Sequence, residues 1–271
     1  MKRSTWGRLL IKSYKCKNMT LVSQFLDLAE KHLPRFCYMV DNYYKSSELL
    51  KFQIMGQSVF CSYEHYVVLY GEPNVNLVYQ IKDNYPSFSL SFNKEWLSLV
   101  FDHFTKCNLV EKSVTTRKYN RFLCMELNIE KFQNSKFDLP KLDVVDLDEI
   151  KHGKILDLRR IMKISKGLGG SGIIIDNELV AIGFIPHLVT NDRFSLCVFR
   201  DIWVNEKYRG KGYGKLITYH LCLKAVQQGV KRIFLWVEKD NIPAIKVYSK
   251  LGFEIKDEVY SVICSFNKEQ I

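Results

Sequence analysis

Residues 199–253 read FRDIWVNEKYRGKGYGKLITYHLCLKAVQQGVKRIFLWVEKDNIPAIKVYSKLGF, and this stretch decides the fold. It predicts a β-strand, a glycine-rich basic turn, an amphipathic helix, a second β-strand and a short helix that ends at Gly252. In the turn, residues 209–215, three glycines alternate with larger residues. Glycine lets the backbone approach a ligand, and the following helix adds unpaired N–H groups and the positive end of its dipole. The turn therefore predicts an anion site with phosphate as its occupant; the alternative is a solvated turn that only caps the helix.

Two common phosphate-binding motifs do not fit this turn. A Walker A loop needs four residues between its glycines and then Gly-Lys-Ser/Thr, which the turn lacks. The dinucleotide fingerprint needs a glycine where Lys215 stands. That fingerprint does occur at residues 167–172, but a strand-like run, IIID, follows it where a helix is required. We interpret this second glycine cluster as a flexible loop.

Two blocks of residues in the stretch carry a family resemblance. The first block is Arg209, Gly212 and Gly214, and the second is Asn241, Ala244, Tyr248, Gly252 and Phe253. They resemble the pyrophosphate loop, Gln/Arg-x-x-Gly-x-Gly/Ala, and the later block, Asn-x-x-Ala-x-x-x-Tyr-x-x-x-Gly-Phe, of the GNAT superfamily of acetyl-CoA-dependent N-acetyltransferases. The resemblance covers roughly residues 140–271.

The resemblance implies acetyl-CoA as the acyl donor and an amine-bearing acceptor, either a small molecule or a protein. It implies that the strand before the turn lies along the pantetheine arm and that the turn holds the pyrophosphate. Asn241 would bond the pantetheine or, as the alternative, cap the last helix. The residues that the resemblance assigns to coenzyme A are Ile202, Trp203, Val204, Arg209, Gly210, Lys211, Gly212, Tyr213, Gly214, Lys215 and Asn241.

Acyl transfer from a thioester needs a base for the amine and an acid for the leaving thiolate. The resemblance implies Tyr248 as the acid, and the alternative is a core aromatic packed on Phe253. Some relatives carry a glutamate where Trp236 stands, so the base must come from elsewhere. Asp201 is the best side-chain candidate, unless it forms a salt bridge; His187, at the end of the preceding hairpin, also lies near. A water chain with an amine of lowered pKa would serve equally well.

Composition excludes several classes of function. The net charge of +11 is spread along the chain without a basic run, so we expect a diffuse positive field and no nucleic-acid partner. The eight cysteines stand singly, without zinc spacing, so no metal is expected. No apolar run reaches the length of a membrane span, and residues 1–18 lack the apolar block of a secretory signal. We therefore expect a cytoplasmic protein with no membrane partner.

The whole chain predicts an α/β fold with a mixed (α+β) sheet in two domains. The resemblance implies that residues 140–271 form a GNAT domain, and we expect residues 1–135 to form an α+β accessory domain or a degenerate second GNAT copy without coenzyme. The linker is placed at 131–141. The predicted helices are 20–34, 94–107, 150–164, 213–229 and 242–251; the predicted strands are 59–71, 75–81, 114–127, 142–150, 193–204, 232–238 and 253–266, with a hairpin around 177–178.

The function predicted from the sequence is transfer of an acetyl group from acetyl-CoA to a primary amine by direct attack in a ternary complex. The first alternative is an acetyl-CoA-binding protein without catalysis. The second is an acetyltransferase directed at tRNA or the ribosome, for which the positive charge is weak support. A homodimer is compatible with the sequence.

Overall fold

The computed structural model describes residues 19–85, 87–104, 119–147, 163 and 166–265. Its helices are α1 (Met19–Lys31), α2 (Leu33–Lys45), α3 (Val75–Asn84), α4 (Leu97–Phe104), α5 (Ile129–Asn134), α6 (Tyr213–Gln227) and α7 (Ile242–Lys250). Its strands are β1 (Leu50–Met55), β2 (Ser58–Tyr63), β3 (Tyr66–Gly71), β4 (Ser87–Phe92), β5 (Asn120–Leu127), β6 (Val145–Asp146), β7 (Gly169–Ile175), β8 (Glu178–Thr190), β9 (Ser195–Val204), β10 (Arg232–Glu238) and β11 (Phe253–Ser265). Within the described residues these strands form one mixed sheet, which confirms the predicted fold class.

The strand order is β1-β2-β3-β4-β11-β5-β10-β9-β8-β7-β6. In each half, a run of three antiparallel strands, β1–β3 or β7–β9, is followed by a helix that crosses to a parallel strand: α3 joins β3 to β4, and α6 joins β9 to β10. The second half has β6 as an additional antiparallel edge strand beside β7. The last strand of each half then lies beside the other half, because β5 pairs with β10 and β11 pairs with β4. The first half therefore repeats the element order of the second, as the hypothesis of a second copy predicts, and the two halves exchange their final strands.

The exchanged strands join the halves by a continuous ladder. β5 and β11 pair with each other from Leu127 opposite Phe253 to Asn120 opposite Ser261. Main-chain hydrogen bonds therefore run from one half into the other at the centre of the sheet. The division at residues 135–140 stays a prediction, and β5, which precedes it in the chain, is a central strand of the second half's sheet.

Helices cover both faces of the sheet. Side chains alternate along a strand, so Cys197 and Phe199 of β9 pack in the core with α6, whereas Leu196 and Val198 pack in the core with α2. α3 and α4 close a third core over the first half. α2 therefore lies on the opposite face from α6 and reaches from the first half onto the strands of the second.

A partly buried ion pair joins α2 to the exchanged strand β11. The guanidinium of Arg35 lies 2.8 Å from each carboxylate oxygen of Asp257 and donates a further bond of 2.9 Å to the Glu258 carbonyl. Asp257 follows a bulge in β11, where the register with β5 shifts. The Arg35 side chain is 1% exposed, so its charge depends on this carboxylate for compensation.

Most elements predicted for the second half are present. β9, α6, β10 and α7 follow in the predicted order, and β7 and β8 form the predicted hairpin, which turns at Asp176 and Asn177. The closing strand is the single long strand β11, and β6 is a two-residue edge strand where residues 142–150 were predicted. The predicted helix at 150–164 lies outside the described residues except for Lys163, as do residues 1–18.

One strand prediction is wrong, because residues 75–81 belong to helix α3. The side chain of Asn74 accepts a bond of 3.0 Å from the Asn76 amide and so caps this helix. Leu77, Val78 and Ile81 are buried at helical spacing on one face. The apolar run VNLVYQI is too short for its periodicity to separate a strand from a buried helix, and the cap decides.

The interpretation of residues 167–172 as a flexible loop is also wrong, since Gly169–Ile175 is strand β7. The glycines serve close packing on β8: a Cβ on Gly170 would lie 2.5 Å from the Phe184 ring, and one on Gly167 would lie 2.1 Å from the Ile185 carbonyl oxygen. A glycine within a strand marks such a close approach.

The remaining corrections concern boundaries. The strand predicted at 59–71 is two antiparallel strands, β2 and β3, which turn at Glu64 and His65. The helix predicted at 20–34 is two helices, because α1 ends at Lys31 and Pro34 lies in the first turn of α2, where proline is favoured. The predicted linker at 131–141 begins inside α5. The helix predicted at 94–107 and the strand predicted at 114–127 are present as α4 and β5, and their other predicted residues from 105 to 118 lie outside the described residues.

Candidate active site

The glycine-rich turn leaves the start of α6 open. Gly210 and Gly212 have φ values of +80° and +83°, a left-handed conformation that side chains with a Cβ rarely adopt. Gly212 is the residue that precedes α6, and it has no side chain to bond the first amides of the helix. The amides of the first helical turn therefore point outward without a capping side chain, which is the geometry of an anion site.

A groove of about 660 Å³ lies against this turn. It runs along the end of β9, past the start of α6, to α7. Ten of the eleven residues that the sequence assigned to coenzyme A line it: Ile202, Trp203, Val204, Arg209, Gly210, Gly212, Tyr213, Gly214, Lys215 and Asn241. Lys211 is not part of the lining, and its ammonium group lies 5.1 Å from the centre of the Tyr208 ring.

The groove is basic beyond the predicted residues. Lys246 and Lys250, one helical turn apart on α7, line it together with Arg209 and Lys215. The motif-based prediction did not include the two α7 lysines, although their spacing in IPAIKVYSK puts them on one helical face. Asn241 caps α7, since its side chain accepts a bond of 3.3 Å from the Ala244 amide, so the capping alternative is realised and the residue still lines the groove.

β9 and β10 separate next to the groove. Their parallel pairing runs from Leu196 opposite Arg232 to Phe199 opposite Leu235, and beyond it β9 pairs with β8 and β10 with β5. The register of β8 and β9 shifts at the same point, and Asp201 has a φ of +52° there. A bulge of this kind bends a strand away from its neighbour. A gap therefore opens between β9 and β10, flanked by main-chain groups.

Tyr248 lies at this gap. Its side chain is buried, its ring centre is 6.0 Å from that of Phe253, and burial raises the pKa of Tyr248 to about 12. It therefore stays protonated at neutral pH and can donate a proton. The ring packs in the core, as the alternative interpretation predicts, and the residue also lines the groove; its role as the acid stays a prediction.

A second cavity, of about 560 Å³, shares Ile202 and Tyr248 with the groove. Residues of both halves line it, among them Tyr38 and Asn42 of α2, Tyr66 of β3 and Trp236 of β10. Because α2 packs on the face of the sheet opposite α6, the two cavities approach the gap between β9 and β10 from different sides.

Asp201 lines the second cavity, and its carboxylate pairs with the ammonium group of Lys163. The side chain is 41% exposed. The salt bridge that the sequence left open as an alternative is therefore present.

His187 lines the same cavity and is held by α2. Its Nδ1 lies 2.6 Å from Oδ2 of Asp41, a carboxylate with a fully buried side chain, and the Lys45 ammonium lies 2.6 Å from the same oxygen. Burial lowers the pKa of His187, and Asp41 opposes that shift. In the sequence His187 is only a residue at the end of a strand; Asp41 lies 146 positions away, so no local pattern joins them.

The part of the chain that the structure describes shows neither a metal-binding group nor a membrane-spanning helix. No group of three or more His, Cys, Asp or Glu side chains is arranged to hold a metal ion. None of the described helices combines the length and the apolar character needed to cross a membrane.

Residues 154–253 match the profile of the acetyltransferase (GNAT) family. A mycothiol acetyltransferase from Corynebacterium aurimucosum is 42% identical over 53 residues, which is 20% of this chain and 17% of that protein. A spermine/spermidine N(1)-acetyltransferase from Bacillus subtilis is 25% identical over 161 residues, 56% of this chain and 90% of that protein.

The resemblance in structure extends through both halves. A tandem GNAT protein from the clavulanic acid biosynthesis pathway superposes with a TM-score of 0.52 and 13% identity. The superposition covers 92% of this chain and 95% of that one. At this identity the likeness shows the fold alone.

Proposed function

We propose, on the basis of the match of residues 154–253 to the GNAT acetyltransferase family, that the protein moves an acetyl group from acetyl-CoA to a primary amine by direct attack in a ternary complex. The observation that carries the proposal is the meeting of two cavities at Ile202 and Tyr248. Direct transfer needs a donor site and an acceptor site that open onto one reacting carbon.

The groove is the donor site. The pyrophosphate of acetyl-CoA would lie against the open amides at the start of α6, where the helix dipole favours negative charge. Arg209 and Lys215 add positive charge at the same end, and Lys246 and Lys250 add it along α7. The pantetheine arm would follow Ile202, Trp203 and Val204 to the gap between β9 and β10.

The chemistry follows from the groups at the gap. A main-chain N–H along β9 would stabilise the negative charge that develops on the thioester oxygen as the amine attacks. Tyr248 would then protonate the departing sulfur. Asp201 remains a candidate for the base, although its pairing with Lys163 competes with that role.

The name of the Bacillus subtilis relative supports an amine acceptor, since spermine and spermidine carry primary amines. A small molecule or a protein side chain would both supply such a group. We retain the cytoplasm as the predicted location.

Two measurements on the whole chain test the proposal. Calorimetry with acetyl-CoA measures donor binding, and thiol release across a panel of amines measures transfer. Tyr248→Phe is expected to lower turnover by about 100-fold or more with little change in acetyl-CoA affinity. Tyr79→Phe, at an exposed tyrosine of α3, is the matched control and should change neither quantity.

Two outcomes would redirect the proposal. Binding of acetyl-CoA without thiol release for any amine would favour the non-catalytic alternative. Absence of binding would remove the donor site and with it the whole proposal.

A further inference from the structure

The second cavity contains a polar group that the acetyltransferase proposal leaves unused. His187 and Asp41 come from β8 and α2, that is, from the two different halves of the chain. A carboxylate can only accept a hydrogen bond, so Nδ1 of His187 carries the proton and donates it to Asp41. Nε2 of a neutral imidazole is then the ring nitrogen with the free lone pair.

The surroundings hold the imidazole in one position. The Asp41 carboxylate is fully buried and also binds Lys45, whose ammonium group donates a second bond of 3.2 Å to the Pro186 carbonyl, next to His187. The Tyr38 ring packs edge-on against the imidazole, with ring centres 4.9 Å apart. The ring is therefore restrained along one edge by Asp41 and across one face by Tyr38.

On the basis of the proposed function, we propose that the second cavity is the acceptor site and that His187, positioned by Asp41, is the base that takes the proton from the acceptor amine. Asp201 is the weaker candidate, because Lys163 neutralises it and it is more exposed. The N-terminal half thus supplies the residue that orients the base, which gives this half a role in the reaction.

The step balances with these two side chains. The amine enters as its free base and its nitrogen attacks the thioester carbon, so a C–N bond forms while one N–H proton passes to Nε2 of His187. The C–S bond then breaks with its electron pair on sulfur, and the Tyr248 hydroxyl protonates that sulfur. The imidazolium returns the proton to the Tyr248 phenolate, since both groups line the same cavity.

The pH dependence follows from the groups that face His187. Asp41 raises its pKa, whereas burial, Lys45 of α2 and Arg200 of β9 lower it, and the net pKa is below the ordinary value of 6.5. The imidazole is therefore neutral and able to accept a proton at pH 7. Activity is expected to fall as the pH drops through this lowered pKa, which gives the acid limb of kcat/KM.

The test is the pH profile of kcat/KM for His187→Gln, Asp41→Asn and Asp201→Asn. His187→Gln is expected to lower kcat/KM by about 100-fold or more and to abolish the acid limb, with an unchanged affinity for acetyl-CoA. Asp41→Asn removes the charge that raises the His187 pKa, so its acid limb should move to lower pH. His65→Gln, at an exposed residue of the β2–β3 turn, is the matched control.

The results separate this inference from the proposed function. If the wild-type protein transfers acetyl groups and His187→Gln retains its activity within twofold, the role of His187 alone is overturned. The same conclusion follows if Asp201→Asn is the variant whose pH profile loses the acid limb and His187→Gln keeps it. If the wild-type protein binds acetyl-CoA but transfers no acetyl group to any amine, both the proposed function and the role of His187 are overturned.

A second inference comes from the charge of the same cavity. Lys163, Lys166, Arg200 and Asp201 line it, and Asp201 is paired with Lys163. The Arg200 guanidinium lies 5.3 Å from the centre of the Tyr38 ring, and the neighbouring Asp201 pairs with Lys163; no ion pair of Arg200 is found among the described residues. An arginine stacked on an aromatic ring presents its donors in a fixed plane suited to a carboxylate.

We infer that the acceptor carries a carboxylate in addition to its amine, with Arg200 binding the carboxylate. Lysine and its decarboxylated counterpart, 1,5-diaminopentane, form a matched pair of probes. Lysine is expected to have the higher kcat/KM by at least about tenfold, because a charge-assisted hydrogen bond contributes about 1.5 kcal/mol or more. Arg200→Gln should raise the KM for lysine more than the KM for the diamine and so remove the preference, whereas Arg193→Gln, which lies outside both cavities, should preserve it.

A faster reaction with the diamine, or an equal loss for both probes in Arg200→Gln, would overturn the carboxylate preference. Either result would leave the roles of Tyr248 and His187 standing, since those are measured with the better acceptor of the pair.

Discussion

The two halves of the sheet contain the same parallel strand pair with different helix starts. In the first half, Asn74 precedes α3 and its side chain occupies the Asn76 amide, with Glu72 in the same turn. In the second half, Gly212 precedes α6 and leaves the amides open, with basic residues on either side. One topology therefore builds an anion site only where the residue before the helix has no side chain and the turn is basic.

In the described residues of the first half, large buried side chains lie at the end of β3. The Trp96 indole N–H donates a bond of 2.9 Å to the Gly71 carbonyl, at the end of β3, and Trp96 is fully buried. Phe88, Leu90 and Phe92 of β4 are buried beside it. Side chains thus fill the first half at the end of β3, whereas the second half has its groove at the end of β9. This difference supports the expectation of a single coenzyme site.

The largest expected effect is at Gly212. Gly212→Asp puts a carboxylate and a Cβ at a φ of +83°, where the Cβ would lie 3.1 Å from Cγ of Pro140. It gives α6 the kind of cap that α3 has and repels an incoming diphosphate. The affinity for acetyl-CoA in calorimetry should fall by at least about 100-fold, or about 3 kcal/mol.

Gly229→Asp separates loss of the site from backbone strain. Gly229 follows α6 with a φ of +73° and has open space around its Cβ position, so it carries the same conformational cost away from the groove. It should lose stability while retaining acetyl-CoA affinity. Equal losses of affinity in the two variants would mean that the open helix start is not the binding feature.

A smaller effect tests how the two halves are joined. Asp257→Ala leaves the buried Arg35 charge without its partner and should lower the free energy of unfolding by about 3 kcal/mol. Because β5 and β11 are exchanged, urea unfolding should remain a single transition when followed by far-UV and near-UV signals.

Asp192→Ala, at an exposed residue of the β8–β9 turn, is the control for this change and should leave stability unaltered. Two separated transitions in Asp257→Ala would show that the halves unfold independently despite the continuous ladder.

Local sequence patterns were sufficient where one element determines the geometry. The glycine-rich turn and the Asn-to-Phe block predicted the order of β9, α6, β10 and α7, because helix caps and glycine φ values are local properties. The family resemblance that these blocks carry then assigned ten of the groove residues. The prediction of a strand at 75–81 was wrong for a local reason as well. It followed the short apolar run and gave no weight to Asn74, which caps a helix there.

Long-range features had no local pattern. The exchange of β5 and β11 depends on pairing between strands more than a hundred residues apart, and the contact of His187 with Asp41 spans 146 positions. The packing of β7 on β8 explains glycines that in the sequence resembled a nucleotide loop. A residue-by-residue pattern cannot contain such information, because it arises only when separate elements pack together.

The smallest expected effect concerns the capped start of α3 in the first half. Asn74→Ala removes the cap of α3 and should lower the free energy of unfolding by about 1 kcal/mol, while the acetyl-CoA stoichiometry in calorimetry stays at one. Asn76→Ala, within the same helix, is the control, since it retains the backbone amide that Asn74 binds. A second binding event in Asn74→Ala would mean that the cap alone closes the first half. An unchanged stoichiometry would mean that Glu72 and the buried aromatic side chains also prevent acetyl-CoA from binding at the start of α3. Free amides alone do not create an anion site where positive charge and space are missing.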